Sequence, residues 1–130
     1  MPEKKLVLDT CALLWLAGGK NRMTQSTLQA IQQAAIVFVS TISSWEISLK
    51  HSHRQLVLPM EPELWFPKVM EAHSLVLAPL DATVLCRANK LPWHHRDPAD
   101  RFIISTAILE NAAIVTADTK FSQYGVRILW

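Results

Sequence analysis

A layered α/β fold with a mainly parallel central sheet is predicted by three features of this chain. Short apolar, β-branched runs alternate with helical segments through most of its length, no hairpin signal joins any two runs, and neither a repeat nor a low-complexity stretch interrupts them. The 130 residues suit one domain with one core, spanning 1–130. Half the residues are hydrophobic and only 18% are charged, a balance that favours a packed globular protein and excludes disorder. The formal net charge of +2 is too mild to announce nucleic-acid binding, although it is compatible with a local basic patch.

Taken in order, KLVLD (5–9) is a short run suited to a strand buried on both faces. TCALLWLAGG follows as a short helix closed by Gly18 and Gly19. A second helix starts at Thr24 or Ser26 and covers STLQAIQQAA, and IVFVS (36–40) is the clearest strand. TISSWEISLKHSH then forms a helix with Ile42, Trp45 and Leu49 on its buried face and Glu46 on the flank. Pro59, Pro62 and Pro67 punctuate the next segment, and a helix over 65–73 fits between the breaks. SLVLAPL is a short strand, and DATVLCRANKL a helix opened by Asp81. PWHHRD is a loop and PADRFIISTAILEN a helix starting at Pro98. AIVTAD, ending at Asp118, is a strand, and VRIL (126–129) another after a turn at Gly125.

Cys11 and Cys86 lack metal-site spacing and sit in apolar segments, so buried free thiols in a reducing cytoplasm are expected. The N-terminal apolar run is too short for a signal peptide, and no apolar run approaches the ~20 residues that span a bilayer. A cytoplasmic protein without a membrane segment is therefore expected. Five tryptophans are many for this length, and some are expected to face a partner.

In open parallel sheets, sites form beyond the carboxyl ends of strands, near the reversal of strand order. Acids recur at such junctions here. Asp9 closes the first strand, Asp118 closes AIVTAD, Asp97 and Asp100 open the helix leading into that strand, and Glu46 lies on the helix after IVFVS. Helix chemistry offers an account of several of them: Asp97 before Pro98 makes a good N-cap, and Asp100 in the first turn suits the helix dipole. Asp9 and Asp118 are also placed to cap whatever follows them, and Glu46 is either a boundary residue reaching to solvent or part of a cleft. Clustered carboxylates, by contrast, are costly unless a cation or proton intervenes. Oxygen-only ligands favour Mg²⁺ or Mn²⁺, and such sites polarise a phosphate and activate water for in-line attack.

The ordered set LDTCALLWL, SSWEISLK, DPADRFIISTAI and IVTADTKFSQYGV resembles the PIN-domain family, and within it the VapC-type toxin nucleases, from Lys5 nearly to the C-terminus. The resemblance implies a three-layer α/β/α sandwich with a mainly parallel sheet, and a Mg²⁺- or Mn²⁺-dependent ribonuclease. It maps the family's acids onto Asp9, Glu46, Asp100 and Asp118. Asp9 and Asp100 would hold metal most directly, with Glu46 and Asp118 completing the shell, and cleavage would leave a 5′-phosphate and a 3′-hydroxyl. Asp100 rather than Asp97 fits the pattern, because Asp100-Arg101-Phe102-Ile103 puts the acid one turn before the apolar face; Asp97 keeps its capping role, alone or together with a place behind the metal ligands. Thr10 and Thr116 lie beside these acids as hydrogen-bond candidates or ordinary strand-end threonines. The resemblance also implies an antitoxin partner and a homodimer.

Lys50, His51, His53 and Arg54 follow Glu46, and His94, His95, Arg96 and Arg101 surround the second acid pair. They are placed to grip RNA phosphates, with Trp93 to stack on a base, or to form a solvated face. The histidines lack a zinc pattern, so histidine ligation is not expected. A dehalogenase-type phosphatase would need a second Asp two residues after Asp9, where Cys11 stands. A receiver-type signalling module would need an early acid pair, and only Glu3 precedes Asp9. An RNA-processing nuclease without an antitoxin and a non-catalytic binding module are the remaining alternatives.

Overall fold

The structure, a computed structural model, describes residues 4–18 and 22–130. Five strands, β1 (Lys5–Leu8), β2 (Ile36–Ser40), β3 (Val76–Ala78), β4 (Ala113–Val115) and β5 (Ile128–Leu129), pair in parallel in the order β3-β2-β1-β4-β5. The chain steps outward from β1 through β2 to β3, then returns to the other side of β1, so the order reverses between β1 and β4.

Alternation along the strands builds the layers, since successive side chains leave a strand on opposite faces. Leu6 and Leu8 pack with Val37, Val39, Ala113 and Val115 against helices α1 (Thr10–Gly18), α2 (Gln25–Gln33) and α4 (Pro62–Ala72). Val7, Phe38 and Ile114, which share a register, pack on the opposite face against Ile103, Ile104 and Ala107 of α6 (Pro98–Glu110). Helix α5 (Ala82–Ala88) lies against α6, where Ser105 Oγ donates to the Val84 carbonyl at 2.8 Å. The result is the expected helix–sheet–helix sandwich. Burial of each Leu, Ile or Val of these clusters contributes about 1.5–3 kcal/mol.

Helix starts follow local chemistry. Thr24, Asp81 and Asp97 cap α2, α5 and α6 with side-chain oxygens that accept from Thr27, Val84 and Ala99. The α6 helix stops at Asn111, which adopts the left-handed conformation (φ 53°). The Gly19 end of α1 lies outside the described residues.

Several expectations are corrected. Helix α4 starts at Pro62 and runs through Pro67, whose missing N–H it tolerates on an exposed side, rather than beginning at Trp65. Helix α3 (Thr41–Ser52) buries Ser43 and Ile47, not Trp45 and Leu49, which are 57% and 38% exposed. The small Ser43 allows a close approach to α1, where its Oγ lies 2.9 Å from Thr10 Oγ1. Strands β4 and β5 are shorter than expected, and 119–124 form a 3₁₀ helix (Thr119–Tyr124) that seats Phe121 in the core. Cys11 and Cys86 are free but exposed, because each sits on the outward side of its helix. Trp45 and Trp93 are exposed, whereas Trp65 is buried. Among the described residues, no helix is long and apolar enough to cross a membrane.

Candidate active site

Parallel pairing places the strand ends after β1, β2 and β4 along one edge, and the N-terminus of α6, which leads into β4, meets them there. That geometry brings Asp9, Glu46, Asp100 and Asp118 together at the reversal of strand order.

Asp9 follows β1 directly and is 8% exposed. Its backbone N–H donates to the Val115 carbonyl at 3.1 Å, tying the end of β1 to β4, and its Oδ1 accepts from the Ala12 N–H at 2.8 Å. Burial raises the Asp9 pKa; hydrogen bonds from Thr116 and Ala12 oppose the rise, and Asp118 adds a smaller push upward. Thr116 also accepts from the Asp118 N–H at 3.0 Å, so one hydroxyl links two acids. Glu46 projects from the second turn of α3, where Thr10 Oγ1 donates to its Oε1 at 2.5 Å. Burial raises Glu46 as well, opposed by Thr10 and supported by the charge of Asp97. The two threonines read as hydrogen-bond candidates are thus in contact with the acids.

Asp100 carries the largest shift. Its side chain is 22% exposed, and burial together with Asp97, Glu46, Asp9 and Asp118 pushes its pKa up to about 7. Asp118 is more open than Asp100, its side chain 38% exposed, and caps the 3₁₀ helix through Oδ1, which accepts from the Lys120 N–H.

His95 completes the cluster. Its Nε2 lies 3.0 Å from Asp100 Oδ2 and 3.0 Å from Asp118 Oδ2. Its Nδ1 accepts from the Asp97 N–H at 3.3 Å, which places the ring proton on Nε2, facing the two carboxylates. The three ligand-type atoms lie within 4.8 Å of one another, a grouping compatible with a metal ion although no zinc-type spacing marks it in the sequence.

What holds His95 is Arg101, and here the reading of Arg101 as a phosphate grip is corrected. Arg101 is 2% exposed. Its Nη1 donates to the carbonyls of Pro92 and His95 and to the Tyr124 hydroxyl, and its Nη2 to the carbonyls of Ala88 and Leu91, at 2.6–3.4 Å. The two Nη groups bond to the end of α5, the loop before α6 and Tyr124, and the guanidinium carbon lies 3.6 Å from the centroid of the Trp93 ring. Tyr124 OH also accepts from the His95 N–H at 2.7 Å, and Phe121 packs edge-on to the imidazole at 5.5 Å. The signal available in the sequence was Arg101 itself: a charge set beside the buried face of an apolar helix needs several acceptors. Lys50 and His51 are half-buried, and His53, Arg54, His94 and Arg96 remain exposed.

Fold and site together define a class: small α/β/α domains with a carboxylate cluster at the carboxyl edge of a parallel sheet. Within it, the chain belongs to the PIN domain family, which residues 6–126 match. It is 26% identical over 121 residues to Ribonuclease VapC22 of Mycobacterium tuberculosis (strain ATCC 25618 / H37Rv), a match that covers 92% of this chain and 91% of that protein. The fold is similar to that of VapBC2 from Rickettsia felis bound to a DNA fragment from their promoter, with a TM-score of 0.69, 17% identity, and 95% and 96% of the two chains covered. It is also similar to DNA-bound VapBC from Salmonella typhimurium, with a TM-score of 0.67, 18% identity, and 95% and 96% covered.

Proposed function

We propose that this protein is a metal-dependent endoribonuclease and the toxin of a type II toxin–antitoxin pair. The observation that carries the reading is the convergence of Asp9, Glu46, Asp100 and Asp118 on one sheet edge, with three of them pushed toward the protonated form by burial and by neighbouring acids. Such a set fits a hard divalent cation, Mg²⁺ or Mn²⁺: its donors are carboxylate oxygens, and positive charge would relieve their repulsion. Asp9 and Asp100 would hold it, with Glu46 and Asp118 completing the site. When bound, the cation supplies Lewis acidity toward the phosphate and lowers the pKa of water.

The chain's own residues supply orientation. Thr10 fixes the Glu46 carboxylate, while Thr116 and the Ala12 N–H fix Asp9. His95 keeps Oδ2 of Asp100 and Oδ2 of Asp118 aimed at one point, and Arg101 keeps His95 in place through its carbonyl. The charge of Lys50 reaches Asp9 and Glu46, and so lies where a substrate phosphate approaches. In-line attack of water at phosphorus would leave a 5′-phosphate and a 3′-hydroxyl. The ribonuclease relative supports RNA as the substrate, and the VapBC structures support a cognate antitoxin as the protein partner. A homodimer acting in the cytoplasm completes this reading.

Expression of the protein alone should arrest growth, and Asp9→Asn should relieve the arrest without lowering the amount of folded protein. Equal toxicity of the two would contradict the assignment of Asp9.

A further inference from the structure

Beside the acidic cluster, the outward face of α3 and the start of α6 enclose an open groove of ≈ 500 Å³. Trp45, Leu49 and Phe102 give it an apolar wall, and Lys50, Gln55 and Asp97 stand at its polar rim. The groove is continuous with the cluster: Glu46 lines it, Asp97 acts electrostatically on Glu46 and Asp100, and Lys50 acts on Asp9 and Glu46. Trp45 is 57% exposed, an unusual state for an indole on the apolar face of a helix. Lys50 forms no salt bridge among the described residues.

We propose that this groove is the seat of one unpaired nucleobase of the RNA substrate, next to the scissile phosphate, stacked on Trp45. The inference rests on the ribonuclease reading and deepens it by assigning where a base is bound. A flat ring against the indole buries the apolar wall, and stacking of this kind accepts every base. The backbone phosphate attached to that base then lies toward Lys50, which supplies the counter-charge. Asp97 and Gln55 offer an acceptor and a donor-plus-acceptor to the base edge, and so bias the site among bases. An apolar segment of a protein would fill the wall equally well, but the groove opens onto the acidic cluster through Glu46, and a nucleotide is the occupant that joins a flat ring in the groove to a phosphate at that cluster. Only a base free of its stack reaches such a seat, so the substrate must be single-stranded or looped at the cut.

The test is binding of fluorescein-labelled single-stranded RNA octamers to Asp100→Asn protein, which removes cleavage from the measurement, with and without Trp45→Ala. The Kd should rise about 5- to 150-fold on loss of the indole, the range expected for one stacked base. Trp45→Phe should restore most of the affinity, and Leu64→Ala, at an exposed leucine on α4, should leave it unchanged. An unchanged Kd in Trp45→Ala overturns the proposal. So does a halved molar mass by light scattering with the Kd unchanged, which would show that a second copy covers the groove. Failure of the ribonuclease reading shows separately, as absence of RNA cleavage by the wild-type protein.

Discussion

Replacing Asp100 by Asn should stabilise the metal-free protein at and above neutral pH. In the folded protein Asp100 holds its proton up to about pH 7, against an ordinary value of 3.8. The unfolded chain releases that proton near the ordinary value, so through this window the folded state binds one more proton than the unfolded state. Stability therefore falls as pH rises from about 4 to about 7, and the loss is complete above the folded pKa. The difference between 3.8 and about 7, at ~1.36 kcal/mol per pKa unit, corresponds to about 4 kcal/mol. Water reaching a side chain that is 22% exposed lowers this, and about 2–3 kcal/mol is expected. Asparagine cannot ionise, yet it keeps an oxygen to accept from His95 Nε2–H. Urea denaturation in EDTA at several values between pH 5 and pH 8 measures the effect. The wild type should lose stability across the range, the variant should lose less, and the variant should be the more stable of the two at pH 8. Millimolar Mg²⁺ should then stabilise the wild type and leave the variant nearly unmoved. Parallel pH profiles in EDTA, with the variant no more stable at pH 8, would refute the reasoning.

Two further substitutions separate the layers of support behind the cluster. His95→Ala removes the N–H shared by Asp100 and Asp118, and should raise the Mn²⁺ concentration that half-saturates cleavage by about 10–100-fold, as loss of such supporting hydrogen bonds commonly does; an unchanged metal requirement would show that His95 merely fills space. Arg101→Met leaves the carbonyls of Pro92, Ala88, Leu91 and His95 without their buried donor, and should cost at least about 3 kcal/mol in denaturant titrations, with faster amide exchange of His95. A Met variant of wild-type stability would refute the buried-staple role.

Much of the fold was legible because burial on both faces leaves a plain mark. Residues 6–8 and 36–39 are apolar throughout, and the structure buries their alternate residues in the two separate core clusters. Caps were legible at Asp81 and Asp97, whose short side chains reach the first free N–H groups, while at α2 the sequence offered Thr24 or Ser26 and the structure uses Thr24. The orientation of α3 was not. Apolar spacing selected Ile42, Trp45 and Leu49, but the helix turns its small Ser43 and its Ile47 inward because the approach to Thr10 is too close for large side chains. Periodicity reports an apolar face without saying whether the core or a groove receives it. The acids could be read from their positions at strand ends, whereas His95 could not. HHRD looks like a basic loop, and only the fold of that loop around Arg101 turns one imidazole toward two carboxylates. Hydrogen bonds between a side chain and distant carbonyls leave no trace in residue spacing.

The measurement that tests the central claim most directly is cleavage of structured RNA by purified, partner-free protein in Mg²⁺, Mn²⁺ or EDTA, beside Asp100→Asn. Cleavage that requires the divalent ion and is lost in the folded variant is the predicted result. Cleavage that persists in EDTA, or that survives in Asp100→Asn at the wild-type rate, would contradict a cation-dependent site built on this acidic cluster.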